Sequence, residues 1–294
     1  MSEKILIFEP HPDDVAFQIA GSVVKWLTEG KEVMVCTITK GNNSTFDMNI
    51  SSEEIEKVMA SEHSKAIQLM GLDEEHAIRW QYDDLGLDPG RDRLPLLQDM
   101  IRLIRKFKPA TVVSMDPKNA ENEENPDHKL VAITALEASA MAAYPNVFRE
   151  QFDEHGINQH CLVASGLRSE ARCTGPHFVG RMLFYMSPEP DIFIDISGEP
   201  LAKKIELGLI YSSQLDLMMT EAKERLKTLG ATFPLFDMPK EDLWPLMCTE
   251  IASRTASECL RKYPEKTGIT HAESFRLQYL GIVDKIRTFL PEKL

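Results

Sequence analysis

Near its start the chain reads Lys4-Ile5-Leu6-Ile7-Phe8-Glu9-Pro10-His11-Pro12-Asp13-Asp14. Ile5 to Phe8 is a short apolar run without alternation, entering a polar turn at once. That is how a strand buried on both faces reads. Pro10 and Pro12 stiffen the turn and exclude helix before Pro12. From Asp14 to Glu29 apolar residues recur at Phe17, Ala20, Val23, Val24 and Leu27, which is helical spacing. Asp13 or Asp14 is available as N-cap and Gly30 as stop.

The same alternation continues outward. Glu32 to Thr39 is rich in β-branched residues and predicts a second strand, followed by the polar loop Lys40-Gly41-Asn42-Asn43. Ser51 with Glu54 three residues on is a capping-box signature, so a helix should run to about Met70 and stop at Gly71. Ala77 to Trp80 predicts a short strand, Leu94 to Lys108 an amphipathic helix and Thr111 to Met115 a buried strand. Asp116 to Asp127 is a polar acidic loop, and Asp127 to Ala143 is helical by composition. Strand and helix alternate repeatedly, which argues for βαβ units and a mostly parallel sheet. Ligands of such sheets bind beyond the carboxyl ends of the strands, where His11 to Asp14, Lys40 to Asn43 and the Asp116 to His128 loop should gather.

The second half is less regular. Phe152 to Pro176 is loop-rich, and Arg181 to Met186 and Asp191 to Asp195 look like strands around a Ser187-Pro188-Glu189-Pro190 turn. Leu201 to Leu229, Lys240 to Lys262 and Ala272 to Phe289 read as helical. There is no internal repeat and no linker that divides the chain.

Composition narrows the function. Among 294 residues Lys plus Arg is 33 and Asp plus Glu 46, a formal net charge of −13. A general nucleic-acid or anionic-membrane binder carries the opposite sign. No apolar stretch approaches the roughly 20 residues of a membrane span, and no signal peptide is visible. The five cysteines, Cys36, Cys161, Cys173, Cys248 and Cys259, are scattered and odd in number, which suits reduced thiols in a cytoplasm.

Two clusters carry chemistry: His11-Pro12-Asp13-Asp14 and Asn125-Pro126-Asp127-His128. A divalent metal takes His and carboxylate ligands on rigid supports. His11 and Asp14 sit three apart on a stiff turn, and His128 begins a helix that follows another strand. Two neutral His and one Asp leave a hydrolytic metal site with an open position, and Asp13 is free to act as a base. An Asp pair at a helix start is commonly a cap alone. Two such clusters, each after a buried strand, favour a site.

These motifs resemble the PIG-L/LmbE-like zinc deacetylases, whose members remove N-acetyl groups from sugars and sugar-containing thiols. The family's Ala-His-Pro-Asp-Asp-Glu corresponds to Pro10-His11-Pro12-Asp13-Asp14-Val15, and its His-Pro-Asp-His to Asn125-Pro126-Asp127-His128. Thr39-Lys40-Gly41 resembles its Thr-x-Gly, and Glu62 to Gly71 its helix with Glu, Ala and a terminal Leu-Gly. Pro190 to Ile196 resembles its Pro-Asp-hydrophobic-Asp-Ile strand, and Ala272-Glu273-Ser274-Phe275 its Ala-Glu-Ala-Phe. The resemblance implies Zn2+ held by His11, Asp14 and His128, with Asp13 as general base and Asn125 near the oxyanion. It implies one α/β domain over residues 1–294: a Rossmann-like, mostly parallel sheet flanked by helices over 1–150, and a loop-rich part with a helical C-terminal extension over 151–294.

Three positions depart from the pattern. Val15 replaces a non-ligand Glu. Asn125 replaces a His, and can donate a hydrogen bond but carries no proton or charge. Met59 stands where the family often has an Arg that serves the substrate side. His271, where a Tyr is frequent, is a candidate substitute donor. Asn42, Asp84 and His271 are the weaker substrate-binding candidates. Asp83, Asp84, Arg79 and Trp80 form a polar-aromatic group suited to a sugar. Glu121, Glu123 and Glu124 would favour a cationic ligand at the mouth. His155, His160, Cys161, Cys173 and His177 lack zinc-finger spacing and read as structural or substrate-lining. The basic residues from Arg91 to Lys108, Arg105 among them, read as a solvated helix face.

The leading expectation is zinc-dependent removal of an N-acetyl group from a small N-acetylated sugar or glycoconjugate, by a protein that binds neither nucleic acid nor membrane and is open to homo-oligomer formation. The alternatives are a metal-dependent amidase acting on a non-sugar or thiol-conjugate amide, and a metal-binding protein without turnover. A dinucleotide-binding enzyme is a poor reading, because His-Pro-Asp-Asp occupies the turn where Gly-x-Gly-x-x-Gly would be needed.

Overall fold

The computed structural model describes residues 2–152, 173 and 175–289. Strand β1 (Lys4–Glu9) leads into α1 (Asp14–Gln18) and α2 (Ala20–Thr28), then β2 (Glu32–Thr39), α3 (Ser52–Met70) and β3 (Ala77–Tyr82). Next come α4 (Arg93–Phe107), β4 (Thr111–Met115) and α5 (Pro126–Met141). The second half contains β5 (Arg181–Tyr185), β6 (Ile192–Asp195), α6 (Glu199–Ile210), α7 (Ser212–Thr228), α8 (Lys240–Lys262), β7 (Ala272–Tyr279) and α9 (Ile282–Lys285).

All seven strands form one sheet in the order β3-β2-β1-β4-β5-β7-β6. The first five are parallel, and β7 runs antiparallel between β5 and β6. Ile5, Ile7, Val33, Val35 and Val113 pack on one face; Leu6, Phe8, Cys36, Ile38 and Val112 pack on the other. Burial on both faces is why these strands read as continuous apolar runs. β1 is flanked by β2 and β4, so the chain reverses its direction across the sheet between them. The crevice at their carboxyl ends is the topological switch point, the usual ligand position in such sheets.

The capping box at Ser51 and Glu54 is present, and Gly71 closes α3 in the left-handed conformation. Four expectations are corrected. The helix read over Asp14 to Glu29 breaks at Ile19, whose φ is −135°. The break frees the first amides of α2, and the Glu273 carboxylate accepts Gly21 N at 3.1 Å and Ser22 N at 2.7 Å. A carboxylate at a helix N-terminus is favoured by both amides and dipole. The helix read over Leu201 to Leu229 likewise divides at Tyr211.

The third correction is the largest: Ala272 to Tyr279 is a strand. Glu273, Phe275, Leu277 and Tyr279 alternate with Ser274, Arg276 and Gln278, which is the period of a strand. Glu273 hides that pattern, because its buried carboxylate takes an apolar position. Lys204 Nζ lies 2.6 Å away and neutralises it. The C-terminal part is therefore helices plus three strands that complete the sheet. Within α4, Arg105 is fully buried and donates to the Ala142, Tyr144 and Val147 carbonyls and to Gln151. It closes the end of α5 and is no part of a solvated face. Among the described residues, no helix is long and apolar enough to cross a membrane.

Candidate metal centre

The turn after β1 is closed by its own residues. His11 N donates to Asp14 Oδ2 at 2.8 Å, and Val15 N donates to Glu9 Oε2 at 2.9 Å. Thr37 Oγ1 donates to the other Glu9 oxygen at 2.5 Å. The Pro12 carbonyl accepts from the Tyr211 hydroxyl, and His63 Nδ1 lies 3.1 Å from it. Thr39 N donates to Pro10 O at 2.9 Å, tying the turn to β2. The turn is thus held from three elements before any ligand is considered.

His128 arrives from the far side of the switch point. Asn125 caps α5, its Oδ1 accepting Asp127 N at 2.9 Å. The first turn of α5 then aims His128 at the β1 turn. His11 Nδ1 and His128 Nε2 are 3.0 Å apart. Asp14 Oδ2 lies 3.4 Å from His11 Nδ1, and Asp14 Oδ1 lies 3.5 Å from His128 Nε2. A tetrahedral ion held at about 2.0–2.1 Å by each donor needs donors about 3.3–3.4 Å apart. The four atoms that these three residues offer lie near that spacing, so the group could hold a metal ion.

Electrostatics agree too. Burial alone would lower the His11 pKa, but Asp127, Asp14 and Asp84 hold it well above the ordinary range. Burial likewise opposes protonation of His128, but Asp14 and Glu123 raise it. Burial opposes ionisation of Asp14, but His128 and His11 outweigh it. The locus favours positive charge, which a divalent cation supplies.

Each imidazole is oriented by carboxylates at its other nitrogen. His11 Nε2 is 3.1 Å from Asp84 Oδ1 and 3.4 Å from Asp127 Oδ2. His128 Nδ1 is 3.2 Å from Glu123 Oε2, an ion-pair distance without hydrogen-bond alignment. Such partners fix the tautomer and raise the basicity of a ligand histidine. His11, Asp84 and Asp127 could themselves surround an ion. However, Asp127 already accepts Leu85 N at 2.7 Å and Leu87 N at 3.2 Å, and Asp84 accepts Asn43 N at 3.3 Å. These bonds suit a support better than a ligand.

Asp13 is half-buried beside this cluster. Burial and the Asp14 charge push its carboxyl up to about 7, with His11 and His128 opposing. That value lies in the range useful to a general base.

Asp84 backs His11. Asn42 holds Asp84, its Oδ1 accepting Asp84 N at 2.8 Å, while its Nδ2 donates to Ser52 and Asp83. His271 bonds Ser197, Thr270 and Ile196, and none of these bonds reaches the cluster. Trp80 is fully buried against Phe8, so it offers no face to a sugar. Met59 is buried, with Gln214 Nε2 2.9 Å from its sulfur. Cys173 and His177 bond the Arg102 and Pro109 carbonyls and are structural. His155, His160 and Cys161 lie outside the described residues. Glu9, Thr37, His63 and Tyr211 were not read from the sequence as parts of the site. Only Glu9, a charge ending an apolar strand, gave a signal.

A mostly parallel α/β sheet thus brings two histidines and an aspartate together at its switch point, where they could hold a metal ion. Residues 6–139 match the PIG-L family, described as GlcNAc-PI de-N-acetylase. This segment of the chain is thus similar to the PIG-L family. It is 29% identical over 195 residues to a diacetylchitobiose deacetylase of Thermococcus kodakarensis, covering 66% of this chain and 64% of that one. It is 27% identical over 161 residues to a mycothiol S-conjugate amidase of Streptomyces coelicolor, covering 47% and 53%. The chain thus spans under two thirds of the length of these relatives. Its fold matches that of the N,N'-diacetylchitobiose deacetylase of Pyrococcus horikoshii, with a TM-score of 0.68 at 21% identity over 99% of this chain and 88% of that one. It also matches a 4-carboxy-2-hydroxymuconate hydratase of Pseudomonas putida, with a TM-score of 0.60 at 16% identity over 99% of each. The fold therefore does not settle the reaction.

Proposed function

We propose that this protein is a zinc-dependent hydrolase that removes an N-acetyl group from a small N-acetylated sugar or glycoconjugate in the cytoplasm. The observation that carries the reading is the convergence of His11 Nδ1, His128 Nε2 and the Asp14 carboxylate, with Asp13 beside them. His11, Asp14 and His128 would hold the ion. When bound, zinc supplies Lewis acidity toward a carbonyl oxygen and toward water. Asp84 and Asp127 keep the His11 ring turned so that Nδ1 faces the centre, while Glu123 pairs with His128 Nδ1 and leaves its Nε2 toward the centre. Asp13 accepts the proton of the attacking water on its carboxylate and returns it to the leaving amine. Asn125 spends its carbonyl oxygen on the α5 cap, which leaves its amide as the only donor it can offer an oxyanion.

The test is acetate release from a panel of N-acetyl sugars, before and after chelation and zinc return, for wild type and Asp13→Asn. Zinc-restorable release, lowered about 10²–10⁴-fold in Asp13→Asn with metal content unchanged, supports the reading. Wild-type rates in Asp13→Asn would remove the base assignment. A second reading, an amidase acting on a thiol-conjugate amide, is favoured by the Streptomyces relative. It predicts release from such conjugates and none from simple sugars.

A further inference from the structure

The segment from Asn42 to Ile50 leaves β2 at the edge of the metal centre and exposes large apolar side chains. Phe46 is 58% and Met48 99% exposed. A cavity of about 390 Å³ lies between this segment and α7, floored by Ile55 and Leu217 with Phe46 and Ile50 at its sides. A second, of about 250 Å³, shares Thr45, Phe46, Asp47 and Ile50 and reaches Asn42 and Asn43. The larger is within the size range of small-molecule sites.

We infer that this groove receives an uncharged, apolar aglycone attached to the N-acetylated substrate. The inference rests on the deacetylase reading for the sugar end. Three observations select the occupant. First, the groove's segment follows β2, whose Thr39 N donates to the Pro10 carbonyl of the β1 turn, and Asn42 of the smaller lining holds Asp84, which backs His11. Second, neither lining contains a Lys, Arg or His, while Asp47 and Asp216 contribute carboxylates. Asp216 is paired with Lys240, and Asp47 accepts from Asn49, so the walls are neutral to acidic and disfavour a phosphate or carboxylate. Third, Phe46, Ile50, Ile55 and Leu217 line the larger cavity together with the Ser44, Ser213 and Thr220 hydroxyls.

The test is calorimetric binding of methyl, butyl and hexyl β-N-acetylglucosaminides and of N-acetylglucosamine 6-phosphate to zinc-loaded protein. A methylene buried in the groove tightens binding by up to about fourfold. The hexyl glycoside should therefore bind at least about tenfold tighter than the methyl, and the phosphate weakest of all. Phe46→Ser and Leu217→Asn should flatten the series and leave the methyl glycoside's Kd unchanged. Equal affinity along the alkyl series overturns the proposal, as does a Phe46→Ser variant that only dissociates an oligomer. Acetate release read on the same samples separates the two claims. A graded series without acetate upholds the groove and removes the deacetylase; acetate with a flat series does the reverse.

Discussion

Lys204→Met tests why β7 is a strand in the sheet. Lys204 Nζ is 2.6 Å from Glu273 Oε1 and donates to the Gln18 carbonyl at 2.8 Å; the two side chains are 8% and 4% exposed. Methionine keeps most of the volume and removes the charge. Glu273 then remains buried with two amide donors from α2 and no cation. Removing one partner of a buried pair costs about 3–5 kcal/mol, since the other charge stays desolvated. Urea unfolding at neutral pH should show a loss of that size. Adding Glu273→Gln removes the stranded charge while its carbonyl still accepts from α2, so the double variant should recover at least about half of the loss. The pair lies behind the metal centre, so zinc stoichiometry should stay at the wild-type value. A loss under about 1 kcal/mol, or no recovery in the double variant, would refute the argument that a neutralised carboxylate anchors β7 to α2.

Two other outcomes follow from the same packing. Asp84→Asn leaves His11 in place but weakens its orienting partner, and should weaken zinc binding about 10–100-fold in a competitive chelator titration. His63 is a buried neutral imidazole whose pKa is lowered to about 4, chiefly by burial, with Arg79 adding to the shift. The unfolded chain takes up this proton near pH 6.5 and the folded chain only near 4, so stability is present above 6.5 and lost as pH falls between them. The loss is of order 3 kcal/mol. Urea unfolding from pH 7 to 4 should show that slope, reduced in His63→Gln; an identical slope in the variant would remove the assignment.

The legible parts of the sequence were those governed by local rules. The β1 run, the Ser51 capping box and the Gly71 stop each depend on residues a few positions apart, and the structure places them as read. The parallel order followed from strand–helix alternation, and His11, Asp14 and His128 from their places after strands. The parts that were not legible depend on distant partners. Glu273 reads as a helix former until Lys204, Gly21 and Ser22 surround it, and then it belongs to a strand. Ile19 breaks a helix whose periodicity alone would continue, because that carboxylate sits at the start of the second half. Arg105 shares the spacing of solvated charges, yet the carbonyls at the end of α5 take it inward. Asp84 and Asn42 had the chemistry of sugar contacts, and the structure adds that Asn42 holds Asp84, which lies against His11. Charged side chains were misplaced most, since their position is decided by partners far off in the chain.

The most direct test of the central claim is zinc X-ray absorption on the protein as purified, with metal content measured on the same sample. The ligand set of His11, Asp14 and His128 predicts one zinc per chain, two imidazoles and oxygen donors near 2.0–2.1 Å in a four- or five-coordinate site. His128→Ala should remove one imidazole and most of the metal. Zinc without imidazole ligands, or a His128→Ala protein with wild-type stoichiometry and spectrum, would contradict it.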